Sequence, residues 1–482
     1  MMDLRPVGYV IGLLVAVLGL TMILPLLVDL AEGRGHWVAF FEAGMITTFT
    51  GGLVALACAS GGREGLTIQQ TFVLTTGVWG ALPLFGALPF MLGETGATFT
   101  DAVFEAMSGL TTTGSTVLSG LDDLPRGLLL WRGILQWLGG IGIIVVAMVF
   151  LPELKVGGMQ IFKSEGFDTF GKILPRAGEI ATQISVIYLT LTMACVVSYL
   201  IVGMDVFDAT VHALTTISTG GFANYDASFG AFGGAVEYVA VVFMILAALP
   251  FVRYVQMVNG NRTAIYRDPQ VRGFLITVFV LVTIIAVVLQ DTVTYSWEES
   301  FRKSLFNVTS IISGTGYASE NYMQWGAFAV TLFFFLGLIG GCAGSTTCSI
   351  KIFRYQLLFA SIRAQLGRIR SPHGVFIPRY EGRAVGPDVL NSVMSFFVFF
   401  IGTMGLIAVA LSMTGLDFVT SVSGAGAALA NIGPGLGDTI GPAGNFGPLP
   451  DVAKWILTVA MLLGRLELMA VYVMLTVQFW RA

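Results

Sequence analysis

Charge is what this chain of 482 residues has least of. Lys, Arg, Asp and Glu together make up 11%, whereas 55% is hydrophobic and the mean hydropathy is +0.82. Soluble domains carry about a quarter charged residues, so a soluble globular enzyme is excluded. No basic domain is available to hold nucleic acid. Histidine is scarce too: His36, His212 and His373 are scattered, with no HExxH and no Cys/His pair spacing. The four cysteines, Cys58, Cys195, Cys342 and Cys348, form no metal-type cluster. Cys342 and Cys348 are close in sequence, and packing thiols are the better reading than a disulfide. P-loop, Rossmann glycine and nucleophile-elbow patterns are missing. The chain is expected not to be an enzyme and to carry no organic cofactor.

Long apolar runs fill the space that charge leaves. About 20 apolar residues cross a bilayer as a helix. Ten stretches qualify: 7–30, 36–59, 69–93, 127–152, 181–203, 235–258, 273–291, 324–339, 390–413 and 453–480. The first reads as a transmembrane helix rather than a cleavable signal, being too long for a signal h-region. The basic residues fall in alternate loops: Arg5 and Arg63; Lys155, Lys163, Lys172 and Arg176; Arg253, Arg262, Arg267 and Arg272; Lys351 to Arg383; and Arg481. The positive-inside rule then places both termini in the cytoplasm. Glu94, Asp101, Asp122, Asp123, Asp226, Glu320 and Asp438 fall on the other side. They predict either an acidic outer mouth that concentrates cations or an ordinary solvated loop surface.

One unit is written four times. "DAVFEAMSGLTTTG" (101–114), "DATVHALTTISTGG" (208–221), "KSLFNVTSIISGTG" (303–316) and "TSVSGAGAALANIG" (420–433) align without gaps. Each ends in glycine, at Gly114, Gly221, Gly316 and Gly433, and each has Leu or Ile four places earlier, at Leu110, Ile217, Ile312 and Leu429. Each copy lies between two spans and is too short to cross the membrane. The unit reads as membrane helix, short re-entrant helix, extended strand, membrane helix. Irregular backbone at membrane depth is tolerated where it is buried in protein or lines a water-filled cavity. Four re-entrant segments meeting on one axis can line a cation path with carbonyl oxygens. Their short helices would aim negative dipole ends at the ion. The hydroxyls of Thr111, Thr112, Thr113, Ser218, Thr219, Ser313 and Thr315 either add oxygens to that path or hydrogen-bond their own strands. Gly139 and Gly140 suit close helix contact better than phosphate binding.

Two further places break the hydropathy pattern. After the span 324–339, "GGCAGSTTCS" interrupts and a basic amphipathic stretch resumes. Gly340, Gly341 and Gly344 each weaken a helix by about 1 kcal/mol, so an unwound loop beneath the third strand is expected. There, with Ser345, Thr346 and Thr347, it would form a gate. Arg465 sits deep inside the last span, where an arginine costs at least ~2.5 kcal/mol unless it is paired or faces water. Glu467 lies ~200° around the helix and cannot be its simple partner. Arg465 is either held between repeats by carbonyls or a carboxylate, or projects into the pore.

"TTTGSTV", "STGGF", "SGTGYASEN" and "NIGPGLGD" as four ordered strands, with "GGCAGSTTCSIK" at 340–351 and "LLGRLE" at 462–467, resemble the Trk/Ktr/HKT superfamily of potassium transporters. The resemblance covers about 60–482, and residues 1–60 resemble the extra N-terminal helix pair of the Trk branch. It implies an all-α polytopic membrane protein of four helix–pore-helix–helix repeats around a pseudo-fourfold pore, plus that pair. The boundaries would be 1–60, 61–178, 179–268, 269–384 with an interrupted inner helix, and 385–482. The filter would be Thr111, Thr112, Thr113 and Gly114; Ser218, Thr219, Gly220 and Gly221; Ser313, Gly314, Thr315 and Gly316; and Ala430, Asn431, Ile432 and Gly433. Potassium, the substrate, would sit at Thr112, Thr113, Thr219, Gly220, Gly314, Thr315, Asn431 and Ile432. The fourth strand lacks hydroxyls, which implies fewer well-formed ion sites. The superfamily also carries an arginine where Arg465 stands, which favours the pore-facing reading. The implied function is gated uptake of potassium or rubidium over sodium and lithium, across the bacterial inner membrane. The implied partners are a second copy of the chain and a cytosolic, nucleotide-sensing TrkA-type subunit. The basic segment 351–383 suits that subunit, anionic lipid, or a plain positive-inside loop. A proton- or sodium-coupled potassium symporter is the alternative.

Overall fold

A computed structural model describes residues 2–60, 66–149 and 177–481 of the chain. Arg63, Lys155, Lys163, Lys172 and Arg176 of the expected basic loops lie outside these residues. Among the described residues the fold is helical apart from one two-stranded hairpin, β1 (Arg379–Tyr380) with β2 (Arg383–Ala384), and a lone parallel bridge between Ile339 and Ile350. Among the described residues, seven helices are long and apolar enough to cross a membrane, or eight if one bent pair counts as a single span.

The N-terminal pair is α1 (Arg5–Thr21) with α2 (Ile23–Ala31), followed by α3 (Trp37–Ala57). Its fixing point on the rest is polar. Asp29, fully buried, pairs with His36 Nδ1 at 2.7 Å and accepts the Gly127 N–H at 2.7 Å. Gly127 stands in the first turn of α7 (Arg126–Val149), where a carboxylate also meets the positive end of the helix dipole. Asp29→Ala strands both the imidazole and the N–H in a buried site. We expect a loss of about 2–3 kcal/mol, read as a lowered melting temperature of the detergent-solubilised protein. An unchanged melting temperature would show that the pair is incidental.

Four repeats follow. The first is α4 (Ile68–Gly86) with α5 (Leu88–Leu92), the pore helix α6 (Phe99–Leu110) and α7. The second is α8 (Ala177–Ile201), the pore helix α9 (Val206–Ile217), α10 (Ala235–Ala248) and α11 (Phe251–Val258), with the short α12 (Ala264–Arg267) after it. The third is α13 (Pro269–Thr292), the pore helix α14 (Trp297–Ile312), α15 (Ala327–Gly337) and α16 (Ile352–Arg370). The fourth is α17 (Pro387–Ser412), the pore helix α18 (Phe418–Ala430), α19 (Asp451–Arg465), α20 (Met469–Met474) and α21 (Val477–Arg481).

Three of the ten expected spans are corrected, and all three are the second helix of a repeat. The span 235–258 bends by 87° between α10 and α11, where Pro250 has no N–H to continue the helix. The span 324–339 keeps only the 11 helical residues of α15. The span 453–480 breaks after Arg465, with Glu467 and Leu468 in left-handed backbone at φ 59° and 44°. Breaks inside a membrane protein leave backbone groups that must find partners, and two of these breaks satisfy each other. The loop between α15 and α16 donates Cys342 N–H to the Ala248 carbonyl (3.1 Å), and its Gly344 carbonyl accepts the Phe251 N–H (2.9 Å). Thr346 Oγ1 donates to the Ala247 carbonyl at 3.1 Å. The bend in repeat 2 is the cradle for the loop of repeat 3.

Candidate functional site: a fourfold strand ring over a buried loop

The pore helices begin alike. Thr98, Asp205, Ser296 and Asp417 each cap the N-terminus with a side-chain oxygen. They also end alike. Thr112, Thr219, Gly314 and Asn431, each two places before a repeat glycine, adopt positive φ of 52°, 51°, 72° and 51°. Each donates its N–H to a carbonyl three residues back, at Gly109, Thr216, Ile311 and Ala428. This is a left-handed helix stop. The glycines follow, again with positive φ: 86°, 80°, 80° and 103° for Gly114, Gly221, Gly316 and Gly433. Positive φ at alternate residues turns successive carbonyls toward one side, whereas an ordinary strand alternates them.

The four strands close into a ring. A Cβ on Gly114 would meet the carbonyl oxygen of Gly220, one on Gly221 that of Thr315, and one on Gly316 that of Ile432. One on Gly433 would lie 2.9 Å from that of Thr113, which returns to the first strand. Each glycine thus leaves room for the carbonyl just before the glycine of the next repeat. All four glycines line one outer chamber of about 220 Å³.

Six of the seven hydroxyls brace their own segments, and the seventh, Thr112 Oγ1, lies 4.0 Å from Cys348 Sγ. Thr111 and Thr113 hydroxyls bond each other at 2.7 Å, as do Ser313 and Thr315 at 2.8 Å. Thr219 Oγ1 donates to the Ser218 carbonyl and Ser218 Oγ to that of Thr215. Asn431 Nδ2 donates to Thr113 Oγ1 (2.9 Å) and to the Met461 carbonyl (3.0 Å), tying the fourth strand to the first and to α19. Ala430 is the last helical residue of α18. Strand 2 carries an added partner: Gln136 Nε2 donates to the Gly220 carbonyl at 2.6 Å and its Oε1 accepts the Phe222 N–H at 3.1 Å. One of the four ring carbonyls is therefore already hydrogen-bonded. Behind the ring, Gly139 of α7 lies so close to the Leu110 carbonyl that a Cβ would overlap it, which is the close helix contact expected of that glycine pair.

The acidic residues that the sequence set opposite the basic loops divide. Glu94, Asp122, Asp123 and Asp438 are exposed loop residues. Asp101 is held by Lys454 at 2.5 Å, and Glu320 accepts the Tyr295 hydroxyl. Asp226 lines the outer chamber but accepts the N–H groups of Gly120 and Leu121 at 2.8 and 3.1 Å. Beside it, burial and then the hydrogen bond to Asp208 push the Tyr225 phenol up to about 12.

Beneath the ring, residues 340–348 are buried. Gly314 has no side chain, and the space its Cβ would take borders the Cys348 N–H at 3.5 Å. The loop therefore stands directly under the third strand. Ser349 adopts the left-handed backbone, at φ 61°. All four cysteines are free thiols. Arg465 reaches the same place: Nη1 donates to Cys348 Sγ and to the Thr346 carbonyl (3.4 Å), and Nη2 to the Gly139 carbonyl (3.1 Å). Its guanidinium lies 5.5 Å from the Trp79 ring centroid. Arg465 is gripped by two carbonyls, one of α7 and one of the loop. Glu467 pairs instead with the buried Arg354. Lys351, read from sequence as a cytoplasmic surface charge, is 8% exposed and donates to Thr347. The cavity left between loop and helices is only about 30 Å³, the room of one water. Sequence reasoning missed Gln136, Arg354 and Lys351 as parts of this site. A lone amide in an otherwise apolar helix was the signal available for Gln136.

Over residues 36–480 the chain matches the family described as TrkH, cation transport protein. It is 44% identical to the Trk system potassium uptake protein TrkI of Halomonas elongata, covering 99% of this chain and 97% of that one. It is 36% identical to the Trk system potassium uptake protein TrkH of Escherichia coli K12, both covered in full. The crystal structure of the potassium transporter TrkH from Vibrio parahaemolyticus matches with a TM-score of 0.91 at 34% identity, over 99% of this chain and 100% of that one.

Proposed function

Because the chain belongs to the TrkH family of cation transport proteins, we propose that it takes up potassium through a selective, gated pore in the bacterial inner membrane, with both termini cytoplasmic. The ring in which each strand's glycine receives the carbonyl of the next is the observation that carries this reading. Backbone oxygens converging on one axis replace the hydration shell of an alkali cation. Thr112, Thr113, Thr219, Gly220, Gly314, Thr315, Asn431 and Ile432 supply the carbonyls, and four pore-helix C-termini add negative potential. The hydrogen-bonded Gly220 carbonyl and the hydroxyl-free fourth strand make the sites unequal, so potassium and rubidium are preferred over sodium and lithium by less than in a symmetric filter.

Gly340, Gly341, Gly344, Ser345, Thr346, Thr347 and Arg465 form the gate in this reading. The loop fills the inner pore, and a cytosolic TrkA-type subunit that senses nucleotides releases it through the basic helix α16. The working unit is a homodimer. The test is rubidium and sodium uptake into liposomes holding this chain alone, with and without a proton gradient. Selective uptake that ignores the proton gradient supports a pore. Uptake that needs the gradient supports the symporter instead. Deletion of 345–347 should raise subunit-free uptake about tenfold, since it removes a plug worth roughly one hydrogen-bonded contact set of ~1–2 kcal/mol. A deletion variant that folds yet transports at the parent rate would show that the loop is not the barrier.

A further inference from the structure

The fifth column of the four aligned repeats reads Glu105, His212, Asn307 and Gly424. The first three are polar, fully buried and nine residues before the repeat glycine. The structure gives them one task in common, although Glu105 also pairs with Arg132 at 2.8 Å. Three residues beyond each glycine, the outgoing strand turns a backbone N–H back toward its pore helix. Val117 N–H donates to Glu105 Oε2 at 3.0 Å, Asn224 N–H to His212 Nε2 at 3.4 Å, and Ser319 N–H to Asn307 Oδ1 at 3.2 Å. In the fourth repeat the column holds glycine, and the neighbouring Ser423 Oγ accepts the Leu436 N–H at 2.9 Å. Four chemically different acceptors thus close the same loop around the same glycine.

We infer that Glu105, His212, Asn307 and Ser423 are positioning residues that fix the spacing of the ring carbonyls, and so set ion preference. The inference rests on the reading of that ring as the filter. A buried N–H must be paired, and among the described residues these N–H groups have no backbone acceptor. Pairing each to a rigid pore helix clamps both ends of the strand: the helix stop holds it below the glycine and the column residue above. A strand released at the upper end can let its carbonyls close on a smaller ion.

The chemistry at His212 is fixed by its other nitrogen. Nδ1 lies 2.8 Å from the Asp208 carbonyl oxygen, which can only accept, so Nδ1 carries the proton and Nε2 is left as acceptor. The ring is edge-on to Phe229 and Phe232, which leaves it no second orientation. An oxygen at the same reach, Glu105 Oε2, does the same work in repeat 1, so glutamine should replace this histidine and leucine should not.

The experiment measures the rubidium-to-sodium uptake ratio of the full chain in liposomes, for His212→Leu, His212→Gln and Asn307→Ala, with Gly221→Ser alongside. Folding is checked by size exclusion. His212→Leu and Asn307→Ala should lower the ratio about tenfold, the worth of one stranded buried N–H, while rubidium uptake persists. His212→Gln should stay near the parent. If the ratio is unchanged in Asn307→Ala, or if His212→Gln falls as far as His212→Leu, the positioning role is overturned. Should His212→Leu fail to fold, Asn307→Ala decides alone, because it only truncates a side chain and adds no apolar branch. Gly221→Ser separates the two readings: if it alone loses preference, the filter stands and the braces fall, and if it too is unaffected, the filter reading itself is wrong.

Discussion

Gly221→Ser should abolish most of the preference for potassium over sodium, lowering the rubidium-to-sodium uptake ratio by at least ~10-fold. Two effects act together. At φ 80° a residue with a Cβ is strained, by roughly 1–3 kcal/mol. The Cβ would also overlap the Thr315 carbonyl, a backbone atom that cannot swing aside as a side chain would. The carbonyl must tilt, and since the ring is closed, the displacement passes to Gly316 and the Ile432 carbonyl. Serine at Gly114 or Gly316 should behave similarly, because the same overlap recurs there. Gly433→Ser should be milder, since its Cβ would stand 2.9 Å from the Thr113 carbonyl, the one seam with some slack. That ranking is the sharper test. Equal losses at all four positions would mean that the strain of positive φ dominates and the seam contacts do not. Unchanged selectivity in all four would remove the filter from these strands.

Arg465→Ala should raise potassium uptake about tenfold and leave the ion ratio alone. Beneath the ring Arg465 and Lys351 are buried, and Arg354 pairs with Glu467. In the proposed pore a cation leaving the filter therefore meets the Arg465 guanidinium. A unit charge about 6 Å away raises its energy by roughly 3 kcal/mol at an effective dielectric of about 20. With Lys351 still present, recovery of about half of that accounts for the tenfold gain. Arg465→Ala also releases the Thr346 and Gly139 carbonyls and Cys348, so the loop is loosened as well as discharged. Arg465→Lys separates these parts: it keeps the charge but not the forked grip on two elements. Uptake near the parent rate in the lysine variant assigns the effect to charge, and uptake near the alanine rate assigns it to the loop. A folded Arg465→Ala protein that transports no faster than the parent would make Arg465 a purely structural tie.

Much of this protein is determined by local and repeated pattern. Apolar runs of bilayer length gave the long helices, such as α1, α13 and α17, because hydrocarbon rewards any such run whatever surrounds it. Four glycines in one column gave the ring, since a close approach of backbone to backbone constrains the same residue in every copy. The tertiary structure decided what depends on partners far away in the chain. Hydropathy could not show that the span 235–258 is broken, nor that its freed groups are met by the loop after 324–339, nearly a hundred residues on, although the glycines of that loop marked its own break. Nor could the sequence choose between the two readings of Arg465, whose acceptors Gly139 and Thr346 lie on two other repeats. Lys351 looked like a surface charge because charge in a loop usually is, and only the fold buries it beneath the ring. The polar column at Glu105, His212 and Asn307 stood in the aligned repeats from the start. Its meaning needed the returning strand, for a hydrogen bond between a helix and the chain twelve residues later is set by the path of the loop between them and not by periodicity.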